Sequence, residues 1–271
     1  MTTPRMPALF LGHGSPMNTI EANRNTAAWA RIGRDYPRPK AILSISAHWY
    51  TRSTAVTAMA QPKTIHDFGG FPQALFDFQY PAPGDAALAA RVRDLLAPRP
   101  VALDTSEWGL DHGTWSVLAH VYPKADIPVV QLSIDGTQPA QFHYDLGKQL
   151  APLRDEGILI FGTGNVVHNL GVMQRGGSGG YDWAARFNTF ARDALTTRHD
   201  HALVDFASQG RDAQLAIPTP EHYLPLLYVL GAAGTDAVTI ENDGLEMGSI
   251  SMLSVSFGAA QASAVSHSTA A

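Results

Sequence analysis

The chain has no cysteine among its 271 residues. That excludes disulfides, thiolate metal sites and a cysteine nucleophile. It also leaves imidazole as the softest good metal ligand available. No run of about 18 apolar residues occurs, so no segment reads as membrane-spanning. Basic charge is not in excess: the formal net charge is -5, which leaves no electrostatic footprint for nucleic acid. There is no internal repeat, and no linker that would split the chain. The stretch from Met1 to Pro7 is too short and polar for a signal peptide. The expected location is the cytoplasm.

What is present is an ordinary globular composition, 45% hydrophobic, with eleven histidines. Strand signals alternate with helical ones. Residues 7–12, 41–47, 54–60, 101–104, 127–134, 157–162, 237–241 and 250–257 read as strands, with 54–60 antiparallel. Helices are expected over 20–36 (capped by Asn18 or Thr19), 85–97, 114–122, 138–153, 182–197 and 221–232. Gly176–Gly180 reads as a flexible loop. This alternation implies an α/β fold, with helices flanking a mostly parallel or mixed central sheet. One catalytic domain is expected over residues 1–271, with an ordered core of about 7–258 and a frayed tail over 259–271.

Five histidines stand in short turn-like motifs: Leu-Gly-His13-Gly-Ser-Pro, Ser-Ala-His48-Trp, Leu-Asp-His112-Gly-Thr-Trp, Gly-Asn-Val-Val-His168-Asn and Thr-Pro-Glu-His222-Tyr. In open α/β sheets, ligands gather beyond the carboxyl ends of the strands, and His13, His48 and His168 fall there on this reading. Neutral imidazoles grouped at one sheet edge suit a divalent transition metal. Each histidine alone also fits a plainer role. His13 could be a turn residue between two glycines, His48 core beside Trp49 and Tyr50, and His112 part of a helix start capped by Asp111 or Thr114. Ser15 is no nucleophile elbow, because Pro16 and Met17 replace the required Gly-x-Ser-x-Gly context. The turn before His168 lacks the Gly-Lys-Ser/Thr ending of a phosphate loop. Glu221 and His222, adjacent on a helix, would not share a face, so only one of them is a candidate third ligand. His66, His120, His143, His199, His201 and His267 read as surface or packing residues. The irregular stretch 61–84, rich in Pro, Gly and Phe, is long enough to be functional.

Seven motifs occur in order: LFLGHGSP, SAHW, the loop His66-Asp67-Phe68-Gly69-Gly70-Phe71-Pro72, Tyr80-Pro81-Ala82-Pro83-Gly84, GLDHGTW, GTGNVVHNL and PTPEHYLPLL. Together they resemble the 4,5-DOPA dioxygenase branch of the class III extradiol ring-cleaving dioxygenases, from Pro7 to about Phe257. The resemblance implies one mononuclear non-haem metal. His13 and His48 match the family's two metal-binding histidines, and His222 matches the third ligand of this branch. The branch thereby departs from the two-histidine, one-carboxylate pattern. His168 matches the catalytic acid/base histidine, and His112 the substrate-facing one.

The expected substrates are O2 and a catechol carrying a side chain, DOPA-like or phenylpropanoid, as in aromatic catabolism. Ser15, Trp49, Phe71, Pro72 and Tyr223 are the expected substrate contacts. Fe(II) is the expected active metal, with Zn(II) able to occupy a purified sample. The expected assembly is a monomer or small homo-oligomer, without nucleic acid or membrane partners. A zinc metallohydrolase and a non-enzymatic scaffold of the same fold are the rival readings. Metal-dependent oxygen uptake would separate them.

Overall fold

In the computed structural model, residues 5–174 and 179–258 are described. Strands β1 (Ala8–Gly12), β2 (Ala41–Thr51), β3 (Ala55–Thr57), β4 (Ala102–Asp104), β5 (Val129–Asp135), β6 (Ile158–Gly164) and β7 (Val238–Asn242) belong to the main sheet, while β8 (Leu245–Glu246) and β9 (Ile250–Ser251) pair separately, and β10 (Ser254–Phe257) completes the main sheet. Its order is β4-β3-β5-β2-β6-β1-β10-β7. The four central strands β5, β2, β6 and β1 run parallel. Antiparallel pairings of β3 on one side, and of β10 and β7 on the other, make the sheet mixed.

The parallel strands are buried on both faces, and their side chains alternate between two cores. Phe10, Leu43, Ile45 and Ile160 enter one core; Leu9, Leu11, Ile42 and Phe161 enter the other. Helices α1 (Arg24–Asp35) and α4 (His112–Val121) cover the second face with Trp29, Ile32, Trp115 and Leu118. Between them in sequence lie the short α2 (Gln73–Asp77) and α3 (Ala86–Leu96). Helix α3 covers the first face together with α5 (Ala140–Leu150), α7 (Asp182–Thr196) and α10 (Leu224–Ala233). The short helices α6 (Pro152–Asp155), α8 (Asp200–Val204) and α9 (Gly210–Ala216) complete the chain. Every residue of α10 is buried, as expected of a helix that is apolar all round.

The structure corrects several expectations. Helix α1 begins at Arg24 and is capped by Asn23, whose side chain accepts from the backbone N–H groups of Asn25 and Thr26; Asn18 and Thr19 lie in a preceding 3-10 turn. Strand β2 continues to Thr51, so His48 lies within the strand rather than after it. Helix α10 starts two residues after His222, which leaves His222 in a turn. The apolar span 250–257 is broken into β9 and β10. Helices α8 and α9 lack a long periodic signal and were not expected. Most of the loop read at Gly176–Gly180, and the tail after Gly258, lie outside the described residues. Among the described residues, no helix is long and apolar enough to cross a membrane.

Candidate metal centre

Strand β1 delivers His13 beyond its carboxyl end, and the parallel neighbour β6 fixes its ring. His13 Nδ1 lies 3.1 Å from Thr163 Oγ1. The Thr163 hydroxyl proton is already donated to the carbonyl of Gly113 at 2.8 Å. Toward His13 that oxygen must therefore accept, so Nδ1 carries the proton and Nε2 carries the lone pair. On β2, His48 Nδ1 faces the Asp67 carboxylate at 3.2 Å, which assigns the same tautomer. His48 Nε2 then sits 3.3 Å from His13 Nε2. In the turn before α10, His222 Nδ1 faces Glu221 Oε1 at 3.1 Å. Ligand nitrogens of His13, His48 and His222 all lie within 4.8 Å of one another.

Two glycines permit this convergence. A Cβ on Gly164 would meet the backbone oxygen of His222 at 2.1 Å. The turn carrying His222 can thus lie against β6, where Asn165 N–H donates to the His222 carbonyl at 2.8 Å. A Cβ on Gly113 would meet Ser46 Oγ at 2.6 Å and His48 Cδ2 at 2.8 Å, so only glycine lets α4 start beside His48.

Electrostatics keep the rings neutral. Burial, reinforced by repulsion from the other histidines, holds His13 and His222 well below the ordinary histidine value. Burial and neighbouring His112 outweigh Asp67 and push His48 down to about 3. Burial lowers His168 to about 4 against the pull of Glu221. Burial would raise Asp67, but His112 and His48 hold it down at about 2. Neutral imidazoles are what a metal ion requires of its ligands. Two Nε2 lone pairs facing each other at 3.3 Å repel unless a cation lies between them. The donor set therefore fits a metal, and each ligand ring is oriented by a hydrogen-bonding group on its other nitrogen.

The histidines face a cavity of about 690 Å³. His112 and His168 line it as well, with Ser15, Phe68, Phe71, Leu170, Met173, Met247 and Ile250. His112 Nδ1 lies 3.0 Å from Asp67 Oδ2. Among the described lining residues, none is Lys or Arg.

Three expected substrate contacts lie elsewhere. Trp49 follows His48 in a strand, so it points to the opposite face; it stacks on Trp108 at 5.5 Å and does not line the cavity. Tyr223 is turned into the core, where its hydroxyl donates to the Leu203 carbonyl at 2.9 Å. Pro72 is exposed at the start of α2, outside the lining. Ser15 and Phe71 do line the cavity, and Ser15 Oγ also accepts from Met17 N–H at 3.2 Å. Glu221 and His222 meet because they lie in a turn; the helical argument that they could not share a face does not apply. Sequence reasoning missed Thr163 and gave no role to Asp67. The signal for Asp67 was an acid set among aromatics in the long loop.

An α/β sheet with histidines gathered over its parallel strand ends, at the wall of a cavity, is the arrangement of a histidine-ligated metal-enzyme site. The family profile described as "Catalytic LigB subunit of aromatic ring-opening dioxygenase" matches residues 7–258. The chain belongs to this family, and it is an extradiol ring-opening dioxygenase. It is 56% identical to the 4,5-DOPA dioxygenase extradiol of Escherichia coli K12, over 95% of this chain and 97% of that protein. It is 40% identical to the 4,5-DOPA dioxygenase extradiol of Beta vulgaris, over 84% of this chain and 87% of that one. A crystal structure of an uncharacterised Escherichia coli K12 protein superposes with a TM-score of 0.83 at 51% identity, covering 94% of this chain and all of the other.

Proposed function

We propose that the enzyme opens a side-chain-bearing catechol, DOPA-like or phenylpropanoid, at one Fe(II) ion held by His13, His48 and His222. The observation that carries this reading is the pair of opposed Nε2 atoms of His13 and His48, 3.3 Å apart at the cavity wall. Both belong to rings whose other nitrogen is already engaged. The names of the relatives support the DOPA-like class. A ferrous ion in this position would bind both catechol oxygens, lower their pKa and relay electrons to O2.

The chain's own residues do the rest. Phe68 and Phe71, edge-to-face with ring centroids 5.4 Å apart, offer apolar faces for an aromatic ring. Leu170, Met173, Met247 and Ile250 exclude water and leave room for a substituent on the ring. His168, held neutral by burial, is the base that takes a phenolic proton and returns it as the ring opens. His112 contacts the reacting oxygens from the side of Asp67, and it stabilises negative charge there when it donates.

The deciding experiment reconstitutes metal-free protein with Fe(II) anaerobically. Air and a panel of catechols are then added. Oxygen uptake and a yellow ring-opened product are expected with Fe(II), and neither with Zn(II). Equal turnover with Zn(II), or none with any catechol, would reject the proposal.

A further inference from the structure

Asp67 makes more contacts at this centre than any ligand needs for itself. Its Oδ1 accepts from the backbone N–H of His112 at 2.9 Å. Its Oδ2 lies 3.0 Å from His112 Nδ1 and 3.2 Å from His48 Nδ1. Three nitrogens from two elements thus lie against one carboxylate, one of β2 and two of the first residue of α4, and of these the His112 backbone N–H makes a hydrogen bond. The acid comes from a third segment, the loop between β3 and α2. That loop is pinned just before it. Ile65 N–H donates to the Leu110 carbonyl at 2.7 Å, and Trp115 Nε1 donates to the Ile65 carbonyl at 2.8 Å. Immediately after Asp67 comes Phe68, whose ring meets His112 edge-on at 5.4 Å.

We propose that Asp67 is a positioning residue that ties the aromatic wall of the cavity to the metal centre. One carboxylate orients a metal ligand, His48, and a cavity histidine, His112. The inference rests on the metal reading above and goes beyond it. Accepting the Nδ1 proton of His48 aims the Nε2 lone pair at His13. The same oxygen lies 3.0 Å from His112 Nδ1, beside a ring that lines the cavity. The loop then cannot move without disturbing both rings. An amide cannot replace this acid. It has one acceptor atom, and its NH2 would oppose a donor at the other.

The test titrates the metal-free full chain with Co(II), read by its visible spectrum, and with Zn(II). Wild type is compared with Asp67→Asn, Asp67→Ala and Asp77→Asn, the last an exposed acid that ends α2. Loss of such an outer partner typically costs about 10–100-fold in metal affinity. Both Asp67 variants are expected to lose that much and to show an altered Co(II) spectrum, while Asp77→Asn matches wild type. Wild-type affinity and spectrum in Asp67→Asn would overturn the assignment. So would failure of both Asp67 variants to fold, which would make the residue a folding element instead. If wild type itself binds no metal, the functional reading falls first and this inference with it. A wild type that binds metal and opens catechols beside an indistinguishable Asp67→Asn removes this inference alone.

Discussion

The ring of His168 lies flat on the ring of His222, with centroids 3.4 Å apart and planes within 8°. The candidate acid/base thus rests on a candidate metal ligand. Its ring is ordered by that stack. Ligand nitrogens of His13, His48 and His222 lie within 4.8 Å of one another, and those of His168 and His222 lie within the same distance of a Glu221 oxygen. The two histidines are expected to separate cleanly in function.

His168→Ala should keep its iron and bind catechol, yet turn over about 10²–10⁴-fold more slowly, the usual cost of one positioned proton-transfer group. His13→Ala should lose the iron. Metal analysis beside oxygen-uptake rates checks both. An iron-free His168→Ala, prepared under conditions that fill wild type, would make His168 a ligand.

Phe71 stands on the cavity wall, while Phe78, from the same loop, packs on Trp115 at 5.3 Å. Phe71→Ala should reorder the ranking of catechols by kcat/KM with little change in melting temperature. Phe78→Ala should lower the melting temperature, because its half-buried ring packs on Trp115 and against the core, and leave the ranking alone. Parallel kinetics and thermal melts decide it.

The metal-free protein should lose stability as pH falls below about 6.5. Buried His48 titrates at about 3, and His143 and His168 at about 4. In the unfolded chain each takes its proton at the ordinary value of about 6.5. Between those limits the unfolded state binds more protons, so stability drops with decreasing pH, by about 1.4 kcal/mol per pH unit per group. Asp111 works the other way. Burial, with Asp67 nearby, raises it to about 6, so it gains its proton first in the folded state and offsets one histidine. Urea midpoints at pH 7 and pH 5 should therefore fall in the metal-free protein. A flat or rising midpoint would contradict the buried neutral histidines.

Gly164→Ala should be disproportionately damaging for one added methyl. Its Cβ would meet the His222 carbonyl at 2.1 Å, a contact with backbone that no side-chain rotation relieves. A destabilisation of about 1–3 kcal/mol is typical of overpacking, and the displaced turn would carry His222 away from His13. A lower melting temperature together with weaker Zn(II) binding, measured by titration, is the expected pair. Lowered stability with unchanged affinity would mean that the turn relaxes without moving the ring.

Much of the architecture was legible because hydrophobic runs and turn residues report local structure directly. The runs at 7–12, 41–47, 127–134 and 157–162 became β1, β2, β5 and β6, the four parallel strands. Boundaries were less legible where tertiary pairing extends an element. His48 looked like a strand-end residue, yet pairing of Tyr50 and Thr51 with Ile134 and Asp135 carries β2 past it. Side-chain direction was the weakest point. Trp49 and Tyr223 each neighbour a histidine of the cavity, and each points away from it.

The sequence by itself determined the α/β class, the five motif histidines and the family they resemble, because these depend on residue type and order along the chain. Only the tertiary structure decided how the rings are served. Asp67 reaches His48 from a separate loop, Thr163 reaches His13 from a neighbouring strand, and His222 leans on Gly164 across 58 positions. Hydrogen bonds and close approaches of that kind depend on where the folded chain brings distant backbone together, and no local pattern of residues encodes them.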